Sequence, residues 1–211
     1  MADIKFLELA SELEMKAPDA PLPYIVRALR EAAIKFCEES ESFVYRLDAI
    51  VAIEGESEYE LDIPSGTRVA KAGRLYYEGT PIEPTSEILL DDEMPGWDVT
   101  ETIPSRYFFR NNILTLAPVP PVTLAGAVTG TVVLKPSRNA AGIDEDYFDE
   151  NSQAIFDGAL SKLFRDTNQP WGDLSLSQMH YALFQQGIDD AKSKIQQDHT
   201  AKRRNMSYGG L

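Results

Sequence analysis

The sequence predicts an α+β protein, a helical bundle interrupted by an inserted antiparallel β-sheet domain. Apolar residues recur at helical spacing near both ends of the chain, but between Phe43 and Pro136 they alternate with a period of two. Two helices therefore come first, a block of strands follows, and two helices come last. The helix pairs can pack on each other only if the strands are looped out. We expect a bundle of residues 1–42 and 141–200, a sheet domain of residues 43–140 and an extended tail of residues 201–211.

The first two helices are predicted from apolar spacing. The first runs from about Asp3 to Met15, with apolar positions Ile4, Leu7, Leu9 and Leu13. It ends at the proline-rich segment KAPDAPLP, which cannot continue a helix. The second runs from about Pro23 to Glu39, and Pro23 suits the first turn because its missing N–H has no partner there. The apolar stripe of the second helix consists of Ile25, Leu29, Ala32 and Phe36.

The middle of the chain predicts five to seven antiparallel strands. Segments such as YRLDAIVAI and YELDI alternate between apolar and polar residues. Glu78-Gly79 and Asn111-Asn112 are predicted as two-residue hairpin turns, since Gly and Asn tolerate the positive φ that such turns need. The segment from Ile88 to Asp98, around DDEMPGWD, is predicted as an acidic loop.

The helical period returns at about Phe148, and Pro170 breaks the helix that starts there. Asp144 or Asp146 is the expected N-cap of this helix. The last helix starts near Ser175, with Ser175 or Ser177 as its N-cap, and runs to about His199. Its apolar positions are Leu176, Leu183, Ile188, Ala191 and Ile195. The predicted bundle core comprises Leu29, Phe36, Ile155, Leu160, Leu163 and Phe184.

The composition excludes several classes of protein. A net charge of −14 argues against a protein that grips nucleic acid or an anionic membrane, because lysine and arginine must supply that attraction. No apolar run approaches the ~18 residues of a membrane span, and the N-terminus does not resemble a signal peptide. The single cysteine, Cys37, cannot form an intrachain disulfide and is expected in the core. No zinc-ligand spacing or catalytic motif occurs, so no metal, cofactor or catalysis is expected.

A few candidate sites have two interpretations. The acidic runs at 91–93 and 144–146 could bind a divalent cation, but they lack the ligand spacing of a calcium loop, and a solvated loop is the alternative. His180 is interpreted as a packed or surface histidine rather than a ligand, and Trp171 as packing at a helix corner. The basic cluster 202–204 is either a solvated terminus or part of a docking peptide.

Two parts of the sequence resemble bacteriophage head-to-tail adaptor proteins, also called connector or tail tubular proteins. The first is the helix IVRALREAAIKFCE, followed by YELDIPSG and GRLYYEGTPIEP. The second is the C-terminal helix pair with a proline-tryptophan corner. Its matching residues are Ile155, Gly158, Ala159, Leu160, Leu163, Pro170, Trp171, Tyr181, Phe184, Gly187, Ile188 and Ala191. The resemblance covers most of the chain from Leu22 to Ile195.

The resemblance implies a structural virion protein, made in the host cytoplasm, without catalysis. Such adaptors form a ring, usually of twelve subunits, beneath the portal protein. The ring extends the DNA channel, through which DNA passes without sequence-specific binding, and it offers a surface to a downstream tail or stopper protein. C-terminal segments of adaptors often reach the portal, so portal or neighbour docking is expected here for Lys202, Arg203, Arg204, Asn205, Met206 and Tyr208.

Two alternatives stay open at this point. One is a stopper or tail-terminator protein of the same connector. The other, of a different class, is a β-rich binding module or a small hydrolase. Ring formation with a portal protein would separate these alternatives from an adaptor.

Overall fold

A computed structural model describes residues 3–200 of the 211-residue chain, with side chains as far as Gln196. It is a mixed α+β protein. In chain order, its elements are β1 (Asp3–Lys5), α1 (Phe6–Glu14), α2 (Leu22–Ser40), β2 (Val44–Ala52), β3 (Glu58–Glu60), β4 (Thr67–Tyr77), β5 (Thr80–Pro84), α3 (Glu87–Glu93), β6 (Arg106–Arg110), β7 (Ile113–Ala117), β8 (Leu124–Pro136), β9 (Gly142–Asp144), α4 (Glu145–Phe164) and α5 (Leu174–Thr200).

The chain forms two compact units. The first, here called the helical unit, contains the chain up to Ser42 and from Ala141 onward. The second, the sheet unit, is Phe43–Ala140.

In the helical unit, α4 packs against both α2 and α5. Aromatic rings fill the space between the helices: the ring of Phe36 on α2 lies 6.2 Å from that of Phe184 on α5 and 6.5 Å from that of Tyr147 on α4. α2 ends where Glu41 adopts a left-handed conformation and its N–H donates to the carbonyl of Cys37. The predicted core residues Leu29, Phe36, Ile155, Leu160, Leu163 and Phe184 are all buried in this unit, with at most 5% of each exposed.

Two glycines lie where the helices pack closely against each other. A Cβ atom on Gly158 of α4 would lie 2.7 Å from the ring carbons of Phe184 and 3.1 Å from the Cβ of Ala32. A Cβ on Gly187 of α5 would lie 2.5 Å from the Cβ of Ala154. The distances of 2.7 and 2.5 Å are shorter than real Cβ contacts and 3.1 Å is tighter than most, so glycine permits this spacing of α2, α4 and α5.

The start of the first helix differs from the prediction. Residues 3–5 form β1, which pairs antiparallel with β9, and α1 begins only at Phe6. The N–H of Phe6 donates to the carbonyl of Ala141, which continues the pairing to the end of the strand. As a result Phe6 is buried and Leu7, predicted on the apolar face, is 57% exposed.

The caps of the last two helices were predicted with mixed success. Asp144 caps α4 as predicted, since its Oδ1 accepts from the N–H of Tyr147 at 2.9 Å, but the helix begins at Glu145 rather than near Phe148. The serine cap predicted for α5 is wrong. Asp173 caps this helix by accepting from the N–H groups of residues 175 and 176, at 2.8 and 3.0 Å. Ser177 is buried instead and donates to the carbonyl of Ser161 in α4.

The sheet unit contains a seven-stranded sheet in the order β2-β8-β4-β5-β6-β7-β3. Its strand number agrees with the prediction, but the expectation of wholly antiparallel pairing is wrong because β5 and β6 run parallel. The connection through α3 carries the chain back before β6, and parallel neighbours require such a crossover. Buried residues of its core include Leu75, Tyr107, Leu114, Leu116 and Leu134.

The two predicted hairpin turns are confirmed. Glu78 and Gly79 have φ values of 49° and 78° and join β4 to β5. Asn111 and Asn112 have φ values of 50° and 66° and join β6 to β7. These left-handed conformations match the twist of the flanking strands.

The predicted acidic loop at 88–98 is wrong, because its first half forms α3. Ser86 caps this helix by accepting from the N–H of Leu89. Three of the four acids of the helix have partners in the sheet unit: Glu87 pairs with Arg110, Glu93 with Arg106, and Asp91 accepts from the indole N–H of Trp97 at 2.9 Å. A small apolar cluster holds α3 in place, formed by Leu90, Met94, Trp97, Phe108 and Ala117.

Candidate interaction surface

The described residues offer no arrangement typical of a metal centre. Within residues 3–196, no group of three or more His, Cys, Asp and Glu side chains is placed to hold a metal ion. In the two acidic runs, Asp144 acts as a helix cap, Asp91 accepts from Trp97 and Glu93 pairs with Arg106. None of the described helices is long and apolar enough to cross a membrane.

Cys37 is a core residue. Its side chain is fully buried, and its Sγ donates to the hydroxyl of Tyr147 over 3.6 Å. Burial raises the pKa of the Cys37 thiol to about 12 and also raises the pKa of Tyr147. A thiol with so high a pKa remains protonated at neutral pH and is a poor nucleophile.

His180 of α5 forms a buried pair with Asp157 of α4. Its Nδ1 lies 2.8 Å from Oδ1 of Asp157, and Gln153 donates to the other carboxylate oxygen at 3.0 Å. The imidazole also packs near the ring of Phe164, at 5.8 Å between centroids. The pair therefore joins α4 to α5. Asp157 and His180 are 23 residues apart in the chain, and no spacing in the sequence indicated that they would meet.

A second polar cluster joins α2 to α4. Glu31 accepts from Arg27 at 2.8 Å and from Lys162 at 2.9 Å. Partial burial opposes ionisation of this carboxyl, but the hydrogen bonds from the two cations outweigh it and lower the pKa of Glu31.

The Tyr24 and Trp171 rings pack edge to face at 5.9 Å, so Trp171 packs at a helix corner as predicted.

α5 exposes several large apolar side chains. Its large apolar side chains with 38–53% exposure are Leu174, Leu176, Met179, Tyr181 and Leu183. They do not lie on one side of the helix. Leu174 and Tyr181 line a cleft with Lys35 and Arg165, whereas Leu183 lines a different cleft with Asp149 and Asp190. Several large exposed apolar side chains on one helix favour a role in protein–protein contacts.

The sheet unit has a second apolar surface, here called the α3 surface. It consists of Ile88, Leu89, Val99 and Ile103, which are 48–76% exposed. Its backbone is anchored by the ion pairs of Glu87 and Glu93 and by the buried Leu90 and Trp97. Ile88 and Leu89 are therefore presented on an anchored helix, which suits a docking surface.

The docking residues predicted at the C-terminus, Lys202, Arg203, Arg204, Asn205, Met206 and Tyr208, lie outside the described residues.

A comparison with family models identifies the family of this chain. The profile of the family described as SU10 adaptor protein matches residues 3–207, nearly the whole chain. The chain belongs to the SU10 adaptor protein family. This membership confirms the resemblance to bacteriophage head-to-tail adaptors and identifies a structural adaptor of the virion. A comparison with curated proteins found no significant match.

The packing of this adaptor explains why these residue types occur in the helix-pair motif. Gly158 and Gly187 lie where helices pack closely, and Phe184 fills the space between α2 and α4. Trp171 packs at the corner between α4 and α5. Tyr181 is different, because it is about half exposed, and its ring lies 5.0 Å from the ammonium nitrogen of Lys35. The motif thus combines core residues with a residue of the exposed surface.

Proposed function

We propose that this adaptor forms a ring beneath the portal protein, extends the DNA channel and provides the attachment surface for the next tail component. The observation that carries the proposal is the family match over residues 3–207, together with the exposed apolar side chains of α5. A protein that acted alone would gain nothing from such a surface, whereas an assembly can bury it.

The two units would have different roles in the ring. We assign ring formation to the helical unit, as a bundle of residues 1–42 and 141–200, and the tail-side contact to the sheet unit of residues 43–140. The α3 surface is the part of the sheet unit best suited to bind a partner, because it is both apolar and anchored.

The charge of the chain fits a channel for DNA. Each copy carries a net charge of −14, so a ring would surround the DNA with negative charge. Like charges repel, and DNA could then pass without sticking. The same repulsion opposes spontaneous ring formation, so we expect the free adaptor to be mostly monomeric and to form a ring on the portal.

Binding to the portal protein is the direct test of this function. We expect the C-terminal segment to take part in that binding. We expect the full-length chain to bind the portal protein of the same phage and to form rings visible by negative-stain imaging. Truncation after His199 is expected to weaken portal binding strongly, because it removes Lys202, Arg203 and Arg204 together with Met206 and Tyr208. Rising salt should weaken the full-length complex more than the truncated one.

Several outcomes of the portal experiment are informative. The melting temperature of the truncated chain serves as the control and should stay within a few degrees of the full-length value. A truncated chain that binds as well as the full-length one would remove the docking role of the segment. If the full-length chain fails to bind the portal at every salt concentration, the adaptor role proposed here is wrong.

The tail-side contact makes a separate prediction. Val99→Asp places a charge in the α3 surface and should reduce recruitment of the next tail component to the portal-bound adaptor, because a buried carboxylate without a partner is costly. Val122→Asp is the matched control, since Val122 is also an exposed valine in a loop of the sheet unit but lies outside the α3 surface. Pull-down of the tail component measures both. Equal recruitment by the two variants would exclude the α3 surface from the contact.

A further inference from the structure

Residues of α5 that line two clefts lie on opposite sides of the helix. Tyr181 and Asp190 are nine residues apart, which is two and a half helical turns at about 3.6 residues per turn. They line different clefts, and no described residue lines both. Each side also has exposed apolar residues: Leu174 and Tyr181 on one, and Leu183 on the other.

The side of Tyr181, here called the basic side, has a cleft of about 380 Å³. Three cations line it, namely Lys35, Lys162 and Arg165, and none of its lining residues is acidic. Glu31 and Glu39, just outside the cleft, pair with Lys162 and Lys35. Arg165 is exposed and has no ion-pair partner among the described residues. Its positive charge is therefore available to an acidic partner.

The side of Asp190, here called the acidic side, has a shallower cleft of about 500 Å³. Four acids line it: Asp149, Glu150, Asp157 and Asp190. Asp157 is paired with His180, but the other three are exposed. The one cation of the lining is Lys194, so the acidic side has an excess of negative charge.

We propose that these two sides bind each other between neighbouring copies of the chain. The basic side of one copy receives the acidic side of the next, and the apolar residues of both sides become buried together. This arrangement follows from charge complementarity, since joining two basic or two acidic sides would bring like charges together. Because the two sides differ, each copy in a pair keeps one side free, and addition continues until a ring closes.

The inference rests on the proposed ring, and it adds the residues through which the copies meet. It also explains why α5 exposes apolar residues in two directions. A helix at the edge of an assembly needs one contact surface, whereas a helix between two neighbours needs two.

Cross-linking of the full-length chain tests the pairing. Gln178 lines the basic cleft and Lys194 the acidic one, and both are exposed. They are 16 residues apart on α5, about 24 Å along the helix, so a short bis-maleimide cannot link them within one chain. A mixture of Gln178→Cys and Lys194→Cys chains should give cross-linked dimers, both at high concentration and on the portal. Each variant alone should give none, and the unmodified chain controls for the buried Cys37.

Charge reversal then tests the chemistry of the contact. Arg165→Glu in the Gln178→Cys chain, or Asp190→Lys in the Lys194→Cys chain, should reduce the yield of mixed dimers several-fold. Lys16→Glu and Glu12→Lys are the matched controls. They change the net charge equally, but both residues are exposed near or on α1 and line neither cleft. The controls should leave the yield unchanged, which separates a local contact from the overall charge of the chain.

The outcomes separate this inference from the adaptor role. Cross-linking of Gln178→Cys chains to one another would indicate a symmetric contact and overturn the pairing. So would the absence of mixed dimers in a chain that still docks on the portal. If mixed dimers form but the portal does not bind, the pairing stands and the portal role is lost. If neither is seen, both proposals are wrong.

Discussion

Phe184→Ala is expected to lower the free energy of unfolding of the helical unit by about 3–5 kcal/mol. The Phe184 side chain is 2% exposed and lies between α2 and α4, with the ring of Phe36 at 6.2 Å. Truncation would remove apolar surface from the core and leave a cavity against Gly158, where the helices are already as close as glycine allows. Helices in such tight contact cannot easily collapse into the space.

The measurement is urea unfolding with a matched control. Trp171 lies in the helical unit, so its fluorescence in a Trp97→Phe background reports on that unit without the tryptophan of the sheet unit. Leu183→Ala is the control because Leu183 is the neighbouring residue and is 43% exposed. Leu183→Ala should lower the free energy of unfolding by less than about 1 kcal/mol. A loss for Phe184→Ala as small as that of the control would mean that α5 contributes little to the core.

The burial of Phe184 could be predicted from the sequence because the resemblance of the C-terminal helix pair includes this residue. The sides of α5 could not. Leu176 and Leu183 were predicted on the apolar face, yet both are exposed, and the buried residues of this helix include Phe184, Ile188 and Ala191. A helix with apolar residues on several sides does not show by its pattern which side meets the core. The exposed sides of α5 can be assigned only once the positions of α2 and α4 are known.

α3 was missed for a different reason. Its acidic residues are typical of a solvated loop when they are considered alone. Their partners, Arg106 and Arg110, lie on β6, more than ten residues further along the chain. The parallel pairing of β5 with β6 depends on the same crossover. β1 and β9 are far apart in the chain, since Asp3 pairs with Asp144, and short strands of this kind have no local pattern strong enough to reveal them.

Part of the candidate surface could be predicted and part could not. The resemblance singled out Tyr181 and both helix-contact glycines, but it gave no reason for a division of α5 into a basic and an acidic side. That division depends on Lys35 of α2 and on Asp149 of α4, which meet the two sides of α5 only in the folded unit. Charge patterning along a single helix does not contain this information.

The effect of Gly158→Ala on the free energy of unfolding is expected to change sign with the residue at position 184. In the natural chain the new Cβ would lie 2.7 Å from the Phe184 ring, and the packed ring cannot move away freely, so we expect a loss of about 1–3 kcal/mol. In the Phe184→Ala chain the ring is absent. Alanine then fills part of the cavity, and its better helix propensity contributes up to about 1 kcal/mol relative to glycine. The same substitution should therefore stabilise the Phe184→Ala chain.

Unfolding of the four chains in this double-mutant cycle measures the coupling between positions 158 and 184. In a Leu183→Ala background, Gly158→Ala should cost as much as in the natural chain, because Leu183 is not among the atoms that the new Cβ would meet. A loss that persists in the Phe184→Ala chain would assign the constraint to Ala32 of α2, whose Cβ would lie 3.1 Å away. In that case the glycine sets the spacing of α4 from α2 rather than from α5, and combining Gly158→Ala with Ala32→Gly should restore stability instead.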